Sequence, residues 1–157
     1  MSAVDEAVTK ANELIDKEER ELKELDVKFR KTLEQVSAAS KAGHGKEADD
    51  LLRHAYKLGD EIGQIARKIA GKTEARDAIS SHRSSLADAR AAAEKLVKDE
   101  VNELSGLVSS YNSLIVRLSQ GDAEPWKQSG AELLEKIAKL HNILAGKLEV
   151  VELLPQS

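Results

Sequence analysis

The sequence predicts an all-α protein whose long antiparallel helical hairpins pack as a coiled-coil-like bundle, and three observations support this. Apolar residues recur at the heptad spacing of a coiled coil along most of the chain. The only prolines are Pro125 and Pro155, so most of the chain is free to be helical. Aromatic residues make up only 3% of the 157 residues. The core must therefore consist of Leu, Ile, Val and Ala, which suits thin helical layers better than a thick globular core.

The first helix is expected at about residues 3–42, ending where Gly43 and Gly45 allow a tight turn. Two polar residues, Glu18 and Thr32, occupy d positions of its heptad. Buried polar residues in such a seam often set the register or oligomeric state at a cost in stability, so we expect Glu18→Leu to raise the melting temperature. The apolar a positions are Val8, Ile15, Leu22, Phe29 and Val36.

The next helices are expected at about 46–70, continuing or kinking into 74–119, and at 123–152. Gly71 could end a helix, but the apolar heptad keeps its phase across this glycine, whereas a loop would usually reset it. We therefore favour one long central helix from about 46 to 119. The serine-rich stretch 80–85 would be a flexible joint within it, because serine side chains compete for backbone hydrogen bonds.

These lengths favour a single elongated helical domain, residues 1–157, in which two hairpins share the central helix. The first helical hairpin would span residues 1–88 and the second residues 89–157. The competing layout breaks the chain at Gly71 and collapses into a compact four-helix bundle.

Composition argues against several functional classes. With 33% charged residues and a net charge of −4, the chain gives no reason to expect nucleic acid or an acidic membrane as its main partner. The absence of cysteine excludes disulfides and thiolate metal sites. No apolar run approaches the roughly 18 residues that span a bilayer, and the N-terminus lacks the layout of a signal peptide. We therefore expect a cytoplasmic protein that is not an enzyme and carries no cofactor.

A short motif in the second helix suggests an alternative function. The segment Arg53-His54-Ala-Tyr-Lys57-Leu-Gly59 resembles the His-x-x-Lys-Gly core of histidine phosphotransfer domains. Those domains are four-helix bundles with an exposed phosphorylated histidine. The resemblance covers about six residues and implies phosphotransfer through His54, with Lys57 beside it.

Metal and nucleic-acid sites have weaker support. A di-metal helical bundle needs a Glu three residues before its His ligands, and none of His44, His54, His82 and His141 has one. We therefore predict no metal site. A locally basic stretch lacks the interleaved aromatic residues of a nucleic-acid surface, so weak nucleic-acid binding is only a third hypothesis. Its basic residues are Arg67, Lys68, Lys72, Arg76, Arg83 and Arg90.

The C-terminal end is the candidate protein-binding site. Val150, Val151, Leu153 and Leu154 would expose an apolar patch if this end were free, and Trp126 lies at the other end of the same helix. We predict a non-enzymatic protein–protein interaction, scaffold or chaperone-like module that binds an unidentified protein partner through these residues.

A homo-oligomer, with a dimer favoured, is also expected. Several apolar residues lie outside the a and d positions and widen the apolar face beyond a two-stranded seam, as helices in three- or four-helix cross-sections require. These residues are Leu14, Leu33, Leu52, Leu96, Val101 and Val108.

Overall fold

A computed structural model describes residues 2–156 and confirms the predicted all-α fold. Four helices pack against each other as a bundle, and the described residues contain no strand. α1 pairs with α2 and α3 pairs with α4, while α2 also packs along α4. The helices are α1 Ala3–Lys41, α2 Gly45–Ser80, α3 Leu86–Ser119 and α4 Glu124–Val151.

The helix ends follow from local chemistry. The Ser2 side chain accepts a hydrogen bond from the Asp5 backbone N–H, and the Asp5 carboxylate accepts one from the Ser2 backbone in return, which begins α1 with a capping box. Gly43 and Gly121 adopt positive φ angles of 79° and 88° at the two hairpin turns, where a side chain would be strained. Pro125 occupies the first turn of α4, where its missing N–H removes no helical hydrogen bond.

The prediction of one central helix from 46 to 119 is wrong. α2 continues through Gly71, as favoured, but the chain turns at residues 81–85 and α3 starts at Leu86. The Ser85 side chain accepts a hydrogen bond from the Asp88 backbone N–H and caps the new helix. The apolar phase persists across this turn because Ile79 and Leu86, on either side of it, contact the same core.

The main core lies at one end of the bundle. It consists of the N-terminal parts of α1 and α3 and the C-terminal ends of α2 and α4. Small residues such as Ala11, Ala75, Ala89 and Ala93 are almost fully buried there, which lets the four helices approach closely. The chain itself thus supplies a four-helix cross-section at this end, and the wide apolar faces do not by themselves require a second chain there.

The C-terminal segment is not free, because its own chain covers most of it. Val150 and Leu154 are buried in the core of their own chain, and Val151 and Leu153 pack against it from partly buried positions. The turn at 81–85 folds α3 back beside α2, so Ile79, Leu86 and Ala89 cover the segment together with the N-terminal part of α1. These four residues therefore form no open apolar patch, and partner binding through them stays an untested prediction.

Candidate interaction surface

The two hairpins meet where Gly71 of α2 and Gly146 of α4 face each other's helix. A Cβ atom on Gly71 would collide with the carbonyl oxygen of Ile143, and one on Gly146 with the carbonyl oxygen of Lys68. Gly71 thus contacts the residue three places before Gly146, and Gly146 contacts the residue three places before Gly71. This reciprocal arrangement, in which the two helices run in the same direction, requires residues without a side chain.

A buried lysine follows each glycine. Lys72 pairs with Glu18 of α1 and Glu149 of α4, and its side chain is only 3% exposed. Lys147 pairs with Glu100 of α3 at 3.1 Å and Glu74 of α2 at 2.9 Å, with its side chain 4% exposed. Because each lysine joins its own hairpin to the other, the two ion clusters tie the hairpins together on either side of the glycine contact.

Lys147 has a perturbed pKa whose cause is clear from its surroundings. Burial of the ammonium group would by itself lower the pKa, but hydrogen bonds to Glu74 and Glu100, together with the charges of these carboxylates, outweigh burial and raise it. The lysine is therefore held in its charged form, which is the form that both carboxylates need as a partner.

These reciprocal contacts reflect an internal repeat that the heptad pattern alone does not reveal. The segment Ala-Gly-Lys-x-Glu occurs at 70–74 and again at 145–149, an offset of 75 positions. α1 and α3 match at an offset of 82, which pairs Glu18 with Glu100 and Phe29 with Tyr111. The five-residue repeat was the available signal. Further matched pairs in α2 and α4 are Leu58 with Leu133, Ile62 with Ile137, Ile69 with Leu144 and Ala75 with Val150.

One side of the second hairpin carries a surface that its own chain does not cover. Val101, Val108 and Ile115 are spaced by seven residues and form one line along α3, while Leu134 and Leu148 belong to a similar line on α4 with His141 between them. All five apolar side chains are between 37% and 44% exposed. We call these five residues the α3–α4 flank.

Helical geometry places both lines on the same side of the hairpin. α3 and α4 are antiparallel, since Glu100 pairs with Lys147 and Arg90 donates to the carbonyl of Pro155. When each helix is viewed from its N-terminus, both lines lie on the same rotational side of the residues that face the other helix of the hairpin. In an antiparallel pair, this puts the two lines on one face. Gly146 is displaced in the opposite sense, so α2 packs on the other side of the hairpin and leaves the flank uncovered.

The surroundings of the flank are unusual in this chain. Residues 104–116 of α3 contain no charged residue, although charged residues make up 33% of the sequence. The exposed positions there are Ser, Asn and Gly together with Val108, Ile115 and Val116, the last of which is 54% exposed. A Cβ on Gly106 would meet no atom within 4 Å outside its own stretch of helix backbone. Depletion of charge around exposed aliphatic side chains is typical of the centre of a protein–protein interface.

The first hairpin provides an internal comparison. The positions matched to Val101 and Val108 are Glu19 and Asp26, and those matched to Leu134 and Leu148 are Gly59 and Thr73. Only Leu33, matched to Ile115, is a large apolar residue. The first hairpin also exposes Val27 and Tyr56, at 53% and 68%, but not at the matched positions. A line of aliphatic residues at those positions is therefore not a requirement of this hairpin architecture.

Trp126, a predicted protein-binding residue, lies apart from the flank. Its indole ring packs over Gly130 one turn later, where a Cβ would come within 2.8 Å of the ring. The indole nitrogen is buried and has no hydrogen-bond partner among residues 2–156. The ring is partly buried, and its helical position faces the seam with α3. The structure does not bring Trp126 together with Val150, Val151, Leu153 or Leu154, which lie at the other end of α4.

His54 and Lys57, the residues of the phosphotransfer alternative, are both exposed on α2. His54 lines a shallow hollow together with Lys46, Glu47 and Asp50. The two carboxylates would repel an incoming phosphoryl group, as acidic residues generally do. The phosphotransfer hypothesis remains an untested prediction. Over the part of the chain described, no three His, Cys, Asp or Glu side chains come together as a metal site.

Most of the basic residues in the proposed nucleic-acid stretch contact their own chain. Lys72 is buried between carboxylates, Arg76 donates to Asn12 and Asp77, and Arg83 pairs with Asp5. Arg90 donates to the Pro155 carbonyl oxygen. These contacts occupy donors that phosphate groups would need.

No protein-family model, curated protein or solved structure matches the chain. Within residues 2–156, no helix combines the length and the apolar character needed to cross a membrane.

Proposed function

We propose that this protein is a non-enzymatic helical interaction module, acting as a scaffold or in a chaperone-like role, and that it binds its partner through the α3–α4 flank. The observation that supports this proposal is the line of exposed aliphatic side chains at 101, 108 and 115, of which 108 and 115 lie in the charge-free α3 segment 104–116. This location differs from the sequence-based prediction, which assigned partner binding to the C-terminal segment.

The chemistry of the flank favours a helical, largely apolar partner. Two antiparallel helices with apolar residues on one face form a shallow groove, into which the apolar stripe of another helix fits. The α3 segment 104–116 lacks the Lys and Arg residues that attract an amphipathic helix to anionic lipid, so a protein partner suits it better than a membrane surface.

Site-specific photo-cross-linking in the host cell tests the proposal. A photoreactive side chain would replace Ile115 on the flank or Leu33 at the matched position of the first hairpin, which are 39% and 40% exposed. We expect a discrete protein adduct from position 115 that is absent from position 33. A second substitution on the flank, Leu134→Lys, should abolish that adduct. Equal labelling at both positions, or no adduct from either, would contradict the proposal.

A further inference from the structure

We infer that the occupant of the α3–α4 flank is a second copy of this chain, so that two chains pack flank to flank about a twofold axis that passes near Val108. This inference rests on the proposed function, because it identifies the partner of the same surface. Two second hairpins would then form a four-helix cross-section at the centre of the dimer, with the two first hairpins outside it.

The first argument is the different composition of the two hairpins. Eighteen of the 39 residues of α1 are charged, against nine of the 34 residues of α3. The matched positions on the outer side of the first hairpin include Glu19 and Asp26, as expected for a surface that faces water. The second hairpin is covered by α2 on one side and apolar on the other, the pattern of a helix layer enclosed on both sides.

The second argument is that the flank can face itself. In a twofold interface each patch meets an identical patch, so a charge near the axis faces its own copy, and a charge elsewhere needs an opposite charge at the position that it contacts. The five flank residues are uncharged, and His141 is the one titratable side chain within the α4 line from Leu134 to Leu148. Two copies can therefore meet without repulsion between like carboxylates or ammonium groups.

The third argument concerns size. The line from Val101 to Ile115 is about 20 Å long at 1.5 Å per residue. With a width of two helices, the flank covers on the order of 400 Å² per chain and about 800 Å² for both chains together, which is below the roughly 1,000 Å² of a stable specific interface. We therefore expect a reversible dimer with a dissociation constant in the micromolar range rather than an obligate one.

Cross-linking through a single introduced cysteine tests the inference, because the natural chain has no cysteine. Val108→Cys and Leu33→Cys, whose parent residues are 38% and 40% exposed, would each be treated with a short bismaleimide at about 50 µM protein. We expect Val108→Cys to give a covalent dimer, twice the 17.1 kDa of one chain, at least fivefold faster than Leu33→Cys. Adding Leu134→Lys to Val108→Cys should lower that yield at least fivefold, with unchanged helical circular dichroism.

Equal rates for the two cysteines, or no covalent dimer together with a monomeric wild-type chain at about 100 µM, would overturn the inference. Failure of this inference is distinguishable from failure of the proposed function. If photo-cross-linking from position 115 still gives an adduct with a different protein, the flank is an interaction surface with another occupant. If position 115 gives no adduct of either kind, the proposed function fails as well.

Discussion

Gly71 and Gly146 lie 75 positions apart in the chain and occupy equivalent places in one helix crossing, each against the carbonyl group three residues before the other. Lys72 and Lys147, the residues that follow them, bridge the hairpins in the same reciprocal way. The two hairpins are therefore joined about an approximate twofold axis. The two hairpins differ, however, at the positions of the α3–α4 flank, which are mostly apolar only in the second hairpin.

The glycine contact gives the first prediction. Gly71→Ala places a methyl group against the Ile143 carbonyl, so α2 and α4 must move apart. We expect the free energy of unfolding in urea to fall by about 1–3 kcal/mol or more, the usual range for an overpacked interior. Gly106→Ala is the matched control, since its methyl group meets no atom. It should instead stabilise α3 by about 0.5–1 kcal/mol. Equal effects of the two substitutions would contradict the close crossing.

Glu18 gives the second prediction, and it reverses the expectation from sequence. Because Glu18 pairs with the buried Lys72, Glu18→Leu leaves that ammonium with Glu149 alone, whose side chain is 48% exposed. We now expect Glu18→Leu to lower the melting temperature. Thr32 is the comparison, since its hydroxyl donates to the Lys28 carbonyl within its own helix. Thr32→Val should change the free energy of unfolding by less than about 1 kcal/mol. A higher melting temperature for Glu18→Leu would show that the ion cluster does not stabilise the fold.

The third prediction concerns Lys147. Lys147→Met removes the partner of Glu100, whose side chain is only 12% exposed. We expect this substitution to cost about 2 kcal/mol, below the full penalty of a broken buried pair because Glu74 remains accessible to water. Adding Glu100→Leu should recover most of the loss, because no unpaired buried carboxylate then remains. Urea unfolding of the single and double variants measures both effects, and equal losses from the two would argue against the pair.

The pH dependence of stability gives the fourth prediction. The pKa of Lys147 in the folded chain is raised above its ordinary value of 10.5, so its stabilising effect is complete below that pH. This effect is lost as the pH rises through the folded-state pKa. The difference in melting temperature between wild type and Lys147→Met should therefore be constant from pH 7 to 10 and shrink above pH 10.5. A difference that grows with alkaline pH would mean that the lysine is buried in its neutral form.

The helical fold could be predicted from the sequence because the heptad spacing, the two glycine turns and the positions of proline are local signals. The break at 81–85 could not, since Ile79 and Leu86 keep the apolar phase while they enter one core from two helices. Burial of Val150 and Leu154 escaped prediction for the same reason. The packing of one hairpin against the other determines which residues cover Val150 and Leu154. The apolar spacing within one helix does not contain this information.

Only part of the candidate surface could be predicted from the sequence. Val101 and Val108 lie outside the heptad seam, and this position is one reason why the sequence predicts a dimer. Their grouping with Leu134 and Leu148 depends on the register of α3 against α4, which ion pairs such as Glu100–Lys147 define only in three dimensions. The contrast with Glu19 and Asp26 also required the internal repeat, which tests of individual motifs do not detect.

The central claim is that two copies of the chain associate through the α3–α4 flank. Sedimentation velocity of Ile115→Lys beside Leu33→Lys tests it most directly. The two substitutions add the same charge at matched positions that are 39% and 40% exposed. At about 50 µM protein we expect wild type and Leu33→Lys to sediment as associated species and Ile115→Lys to sediment as a monomer with unchanged helix content. Association of Ile115→Lys equal to that of Leu33→Lys would contradict the claim.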